Sequence, residues 1–240
     1  MSGRDDFGAV ADALLAQYAV LVAGFAALDP TGPTDCAGWT VEDLETHVAI
    51  TARGLARIAG QGGEGAATGV RAWTEQLPGL AEQMDVATKA ERLALRDQVP
   101  LVEAALQHPG DSLVHQLTGT HTLRDAAVFR LVEAVVHGLD AGIAPHRPAL
   151  KLVVKELARA LSERHPGRSV EVRVPPYAAV QCVEGPRHTR GTPSNVVETD
   201  GVSFVRLVAG REQWSDLVAD GRLRATGERS DLSGLVPLLS

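Results

Sequence analysis

"RLVEAVVHGLDAG", Arg130–Gly142, decides how this chain is to be read. Leu131, Val132, Val135, Val136 and Leu139 recur at the spacing of an apolar helix, yet Glu133 and His137 stand one turn apart on it. Residues four apart project from the same helix face, so carboxylate and imidazole point together, beside Phe129 and Val136. Two readings of this stripe stand. It is a hydrogen-bonded pair at the edge of a core, or half of a metal clamp, since both donors can reach one cation.

A clamp needs a third donor from another helix. "GWTVEDLETHV", residues 38–48, provides one. Thr40 is a good N-cap there, with Glu42 and Asp43 favouring the positive end of the helix. Val41, Leu44, Val48, Thr51, Leu55 and Ile58 form the inner stripe, and His47 flanks it. Two imidazoles and one carboxylate leave a fourth position open, the pattern of catalytic rather than structural zinc, although iron, nickel or cobalt suit the same donors. Asp140, close to one turn beyond His137, is placed to orient a ligand from behind or to act as a helix-end acid. His108, His115, His121, His146, His165 and His188 fall near expected turns and are read as solvated. Trp39 is read as a packing anchor.

These two segments belong to a larger helical pattern. Leu14, Leu15, Tyr18, Leu21, Val22 and Phe25 mark a first helix from about residue 5 to "LDPTGP". Thr40 opens the second, and the Gly-rich "GQGGEGAATG" forms a loop. A third helical region is expected over 76–107, with a break near Pro100, closed by the "HPGD" turn. The fourth runs from about Thr122 to Ala141, with Gly142 as its C-terminal cap. Four amphipathic helices make a four-helix bundle able to hold a site on its inner face.

Past "APHRPA" the rhythm changes. "ALKLVVKELARALSERH" reads as one more helix, while "SVEVRV", "AAVQCVEG" and "RLRATGE" alternate as strands do. "TDGVSFVRLVAG" and "REQWSDLVADG" read as short helices or a strand–helix pair. The expected architecture is therefore α plus α+β, with a bundle over 1–145 and a smaller α+β domain over 146–240.

Composition narrows the function classes. The net charge of −7 argues against nucleic acid or an anionic membrane as partner, because both need a basic surface. Cys36 and Cys182 are too few and too far apart for a disulfide framework or a metal knuckle, and are expected reduced, in the cytoplasm. The acidic start "MSGRDDFGAV" is unlike a secretory signal, and no membrane span is expected. A G-x-S-x-G elbow, a P-loop and a dinucleotide fingerprint are all missing from the sequence.

"DCAGWTVEDLETHV" followed by "FRLVEAVVHGLDAG" resembles the mycothiol-dependent maleylpyruvate isomerase family. The resemblance implies a DinB-like metal-binding bundle, with His47, Glu133 and His137 on the family's three zinc positions. "TPSNVVETDGVSFVRLVAGREQW" and "GRLRATGERSDLSGLVPLL" resemble the sterol-carrier-like domain joined to that bundle. An arginine of that domain helps hold substrate carboxylates in the family; Arg211 stands at the similar position, with Arg206 as the fallback. The implied chemistry is a zinc-activated mycothiol thiolate adding to an activated double bond, rotation, and expulsion. The same thiolate remaining on its electrophile would make the protein an S-transferase. The expected partner is a small molecule, in particular a dicarboxylate. Two alternatives stand beside this one. In the first, the α+β half is a sterol-carrier-like binder of an apolar ligand without catalysis; in the second, the chain is an interaction protein keeping the zinc site as a relic.

Overall fold

The computed structural model describes residues 3–185 and 194–239, and the chain divides into two compact units, 1–149 and 150–240. The first unit is built on four helices. They are α1 (Gly3–Ala27), α2 (Val41–Ile58), α5 (Leu95–Ala105) and α6 (Leu123–Asp140). Each packs on two others, α1 against α5 and α6, and α2 against α5 and α6, which closes a four-helix ring. Most of the apolar stripes foreseen from the spacing line its interior: Leu14, Tyr18, Leu21 and Phe25 of α1, and Leu44, Val48 and Leu55 of α2, are buried, while Leu15 and Val22 are half-buried.

The ends of these helices follow from local chemistry. Thr40 caps α2 by accepting from the Asp43 amide, while Asp43 accepts from the Thr40 amide in return. Thr122 caps α6 by accepting from the Asp125 amide. At the other end of α6, Gly142 takes φ 73°, and the amides of Gly142 and Ile143 bond back to Leu139 and Gly138.

Glycine also governs how closely α1 and α6 approach. A Cβ on Gly138 would stand 2.9 Å from Leu21 Cδ2, and one on Gly24 would stand 2.6 Å from Ile143 Cδ1. Gln17, fully buried in α1, bridges the same seam; its amide donates to Ala134 O and its carbonyl accepts from the His146 amide.

The third helical region departs from expectation. Instead of one helix over 76–107 broken near Pro100, the chain forms α3 (Val70–Gln76), a 3₁₀ turn (Leu77–Leu80), α4 (Ala81–Ala90), an extended stretch, and then α5. Pro100 lies inside α5 without breaking it. The amide it lacks would have bonded to the carbonyl of Arg96, an exposed residue that water can reach. The break falls instead at residues 91–94. There Glu45 of α2 accepts from the Leu95 amide and Glu91 pairs with Arg53, so side chains of α2 fasten both edges of the break.

A hairpin of β1 (Leu113–Gln116) and β2 (Gly119–Thr122) was not foreseen either. Gly119, at φ 103°, lets the chain turn there, and the hairpin leads directly into α6. By length and composition alone, Asp6–Ala27 of α1 is apolar enough to cross a bilayer. Alanine makes up much of that segment, and Val10, Leu14, Tyr18, Leu21 and Phe25 on it are buried in the bundle core.

The second unit carries most of α7 (Arg147–Arg164), then β3 (Val170–Val174), β4 (Ala178–Cys182), β5 (Val196–Thr199), α8 (Gly201–Val208), α9 (Trp214–Ala219) and β6 (Leu223–Thr226). The sheet order is β4-β3-β5-β6, antiparallel except for the β3–β5 pair. Alternation along β3 buries Val170, Val172 and Val174, which join Val153, Leu157 and Leu161 of α7 in the core. β5 was not read as a strand from the sequence, yet it is central. Asp200 ends it and caps α8 by accepting from the amides of Val202 and Ser203, so the two ambiguous stretches resolve as helices. The architecture is a helical bundle followed by an α+β unit.

Candidate metal centre

His47 on α2 and His137 on α6 meet inside the bundle. Their ring centres are 4.7 Å apart and their planes 78° from parallel. His47 is buried, and its Nδ1 lies 3.4 Å from Thr88 Oγ1 of α4. Burial pushes its pKa well below the usual histidine range; the nearby His137 and Arg130 push the same way, against Asp140. The ring is thus neutral, the form that ligates metals. His137 Nδ1 lies 3.0 Å from Asp140 Oδ2, a fully buried carboxylate. That contact makes Nδ1 the donor and leaves the Nε2 lone pair for another partner, as in carboxylate–histidine–metal arrangements.

The loop before α2 completes the wall. Trp39 stands with its ring centre 5.0 Å from that of His47 and 6.1 Å from that of His137. It is held from two sides. Its indole Nε1 donates to Asp85 of α4 at 2.6 Å, and Thr34 Oγ1 donates to its carbonyl at 2.8 Å. Lys89 of α4 reaches Gly38 O and the Asp43 carboxylate, while the Asp35 amide donates to Asp140 O at the end of α6. Burial works upward on the Asp43 carboxyl, but hydrogen bonds from Lys89 and Thr40 outweigh it and hold its pKa below the usual value. Read as a packing anchor, Trp39 is more than that: it faces both imidazoles. The signal was its place one residue before the cap of the helix that carries His47.

Glu133 is engaged on its own helix. Its Oε2 lies 2.9 Å from Arg130 Nε, three residues earlier on α6. Among the described residues, no group of three or more His, Cys, Asp or Glu side chains converges to hold a metal. The two imidazoles alone suit one ion, since rings sharing a tetrahedral metal have centres about 5 Å apart. Near the Arg130–Glu133 pair sits Tyr18, fully buried, its hydroxyl without a hydrogen-bond partner and its pKa pushed up by that burial. Neither Tyr18 nor Arg130 was singled out from the sequence; both lie on stripes that read as ordinary core or surface.

The remaining residues sort as follows. His121 is not solvated but fully buried: Thr118 Oγ1 lies 2.9 Å from its Nε2, and its Nδ1 lies 2.7 Å from Thr68 O, which it donates to. It meets Phe129 edge-on, and Phe129 stacks on Trp73, so the inward face of β2 made it a core residue. His108 and His115 are exposed, His146 and His165 half-buried, and His188 lies outside the described residues. Arg211 and Arg206 belong to the second unit. Arg206 Nε lies 3.2 Å from Glu212 Oε1, and Arg211 donates to Ala209 O in the turn after α8.

Fold and histidine pair together define a class: a helical bundle with a two-histidine site between α2 and α6, continued by a small α+β unit. The chain belongs to the family described as the mycothiol maleylpyruvate isomerase N-terminal domain, whose model matches residues 11–142. Residues 146–238 match the model described as a bacterial SCP ortholog, the sterol-carrier-like domain. Among solved structures, a mycothiol-dependent maleylpyruvate isomerase is similar at 18% identity and a TM-score of 0.62, covering 100% of this chain and 99% of that one. A histidine-to-alanine mutant of a mycothiol-dependent maleylpyruvate isomerase is similar at 15% identity and a TM-score of 0.60, with the same coverage. At these identities the structural likeness is one of fold. A search of curated proteins finds no match.

Proposed function

We propose that the chain is a mycothiol-using enzyme, an isomerase of the maleylpyruvate type or a thiol S-transferase, with a divalent metal, zinc foremost, held by His47, His137 and Glu133. One observation carries this reading: two imidazoles from separate helices face each other at 4.7 Å, in a chain of this family. Bound there, the ion would supply the Lewis acidity that keeps a thiol ionised near neutral pH.

The chain's own residues do the rest. Asp140 fixes the tautomer of His137, and burial keeps His47 unprotonated. Trp39 walls the site and restricts water. The thiolate sulfur adds to one carbon of an activated double bond, giving a single bond that rotates. Loss of the same thiolate restores the double bond in the other geometry, so no atom is gained or lost. If the carbanion formed by addition takes a proton from water before the thiolate leaves, the adduct persists and the outcome is S-transfer. Arg211, with Arg206 as second choice, is the proposed anchor for a substrate carboxylate.

The test is a titration of cobalt-loaded protein with mycothiol. A sulfur-to-cobalt absorption band and about one cobalt per chain are expected. Protein that takes up no metal from a zinc or cobalt buffer sinks the reading. The match of residues 146–238 supports a second reading, a carrier for an apolar ligand. Solvent extraction of native protein that yields stoichiometric lipid would favour it; clean extracts would remove it.

A further inference from the structure

This inference rests on the metal reading above and concerns what stands in its way. Two of the three proposed ligands converge, but the third is engaged by a cation the chain carries itself. Arg130 and Glu133 are both largely buried, with side chains 12% and 17% exposed, and their charged atoms are 2.9 Å apart. Neither Arg130 Nε nor Glu133 Oε2 makes a hydrogen bond of good geometry. The contact is therefore charge attraction without the two-pronged alignment that makes guanidinium–carboxylate pairs hard to displace. A carboxylate at this depth needs a positive partner, because an unpaired buried charge is strongly destabilising.

We propose that Arg130 is a built-in stand-in for the metal: it neutralises Glu133 and competes with an arriving divalent ion for that carboxylate. Two features favour competition over simple orientation of Glu133. If Arg130 merely aimed the carboxylate at the imidazoles, the three donors would already converge, and among the described residues they do not. Its second prong is also weak, since Nη1 reaches Thr51 O at 3.5 Å, the limit of a hydrogen bond. Arg130 therefore gives up little hydrogen bonding when it releases the carboxylate. Its fixed positive charge then tunes how tightly the ion is held, as any like charge beside a cation must.

The experiment is a cobalt titration of chelator-stripped protein, read by visible absorption and by the thermal shift on loading. Arg130→Met is expected to bind cobalt about tenfold more tightly than the parent chain. Its metal-stripped form should melt lower and gain more on loading, because Glu133 has lost the cation paired with it. Arg130→Gln keeps a donor for the carboxylate but no charge, tolerates burial better, and is expected to shift affinity in the same direction. Unchanged or weaker cobalt binding in both variants, with the parent chain still binding one ion, overturns the competition and leaves the metal reading in place. No binding by any of the three overturns the metal reading, and this inference with it.

Discussion

His137 Nδ1 and Asp140 Oδ2 stand 3.0 Å apart on the last turn of α6, and the Asp140 side chain is closed off from water entirely. Removing that carboxylate frees the ring to rotate and to carry its proton on the wrong nitrogen. Asp140→Ala is expected to weaken metal binding about 10- to 100-fold. Competition against a zinc-binding dye measures it, and an unchanged affinity would show that Asp140 serves only as a helix end.

The two imidazoles are expected to act as one unit. His47→Ala and His137→Ala should each lose stoichiometric cobalt while far-UV circular dichroism stays helical. The buried His47 also leaves a cavity, costing about 1–3 kcal/mol of stability. Retention of a full equivalent of cobalt by either variant contradicts the assignment.

Trp39 should report on the site by its emission. Its ring faces both histidines, whereas Trp73 stacks on Phe129. Adding cobalt is expected to quench part of the tryptophan fluorescence, and Trp39→Phe should abolish that part. Quenching that survives the substitution places the ion elsewhere.

The cap at Thr40 holds the start of the helix that presents His47. Thr40→Ala is expected to lower stability by about 1 kcal/mol at neutral pH. Asp43 adds a pH dependence. Its folded pKa is depressed, so its contribution is present above the usual 3.8 and is lost as pH falls through the folded value. Melting curves of the parent and Asp43→Asn should therefore differ at pH 7 and converge in acid.

Cys182 is buried, and that burial raises its thiol from 9.0 to about 11. With the folded value above the unfolded one, its contribution to stability is complete below about pH 9 and is lost as pH rises through about 11. At pH 8 it should resist iodoacetamide in the folded protein and react after unfolding in urea, as peptide mass spectrometry will show.

The bundle was legible because large apolar side chains recur at helical spacing in α1, α2 and α6, and because Thr40 and Gly142 mark helix ends chemically. Segments fastened by side chains from elsewhere were not legible. α5 begins where Glu45 receives the Leu95 amide, a contact between residues fifty apart in sequence, and no local pattern announces it. The hairpin hid for another reason: its strands are four residues long, and each buries one side chain, Val114 and His121, too few to show an alternating pattern. The histidine pair followed from spacing. The engagement of Glu133 did not, since Arg130 at i−3 and His137 at i+4 are equally near it along the helix.

The absent side chain at Gly138 has a consequence for chemistry it never touches. Leu21 fills the notch where a methyl group would be, and the adjoining residue in the chain is His137. How far that imidazole sits along the bundle axis is thus gauged by a leucine on the neighbouring helix, much as a pawl seats in a ratchet. Gly138→Ala would lift the seat and slide the ring past its partner on α2, spoiling the alignment with both imidazoles still present.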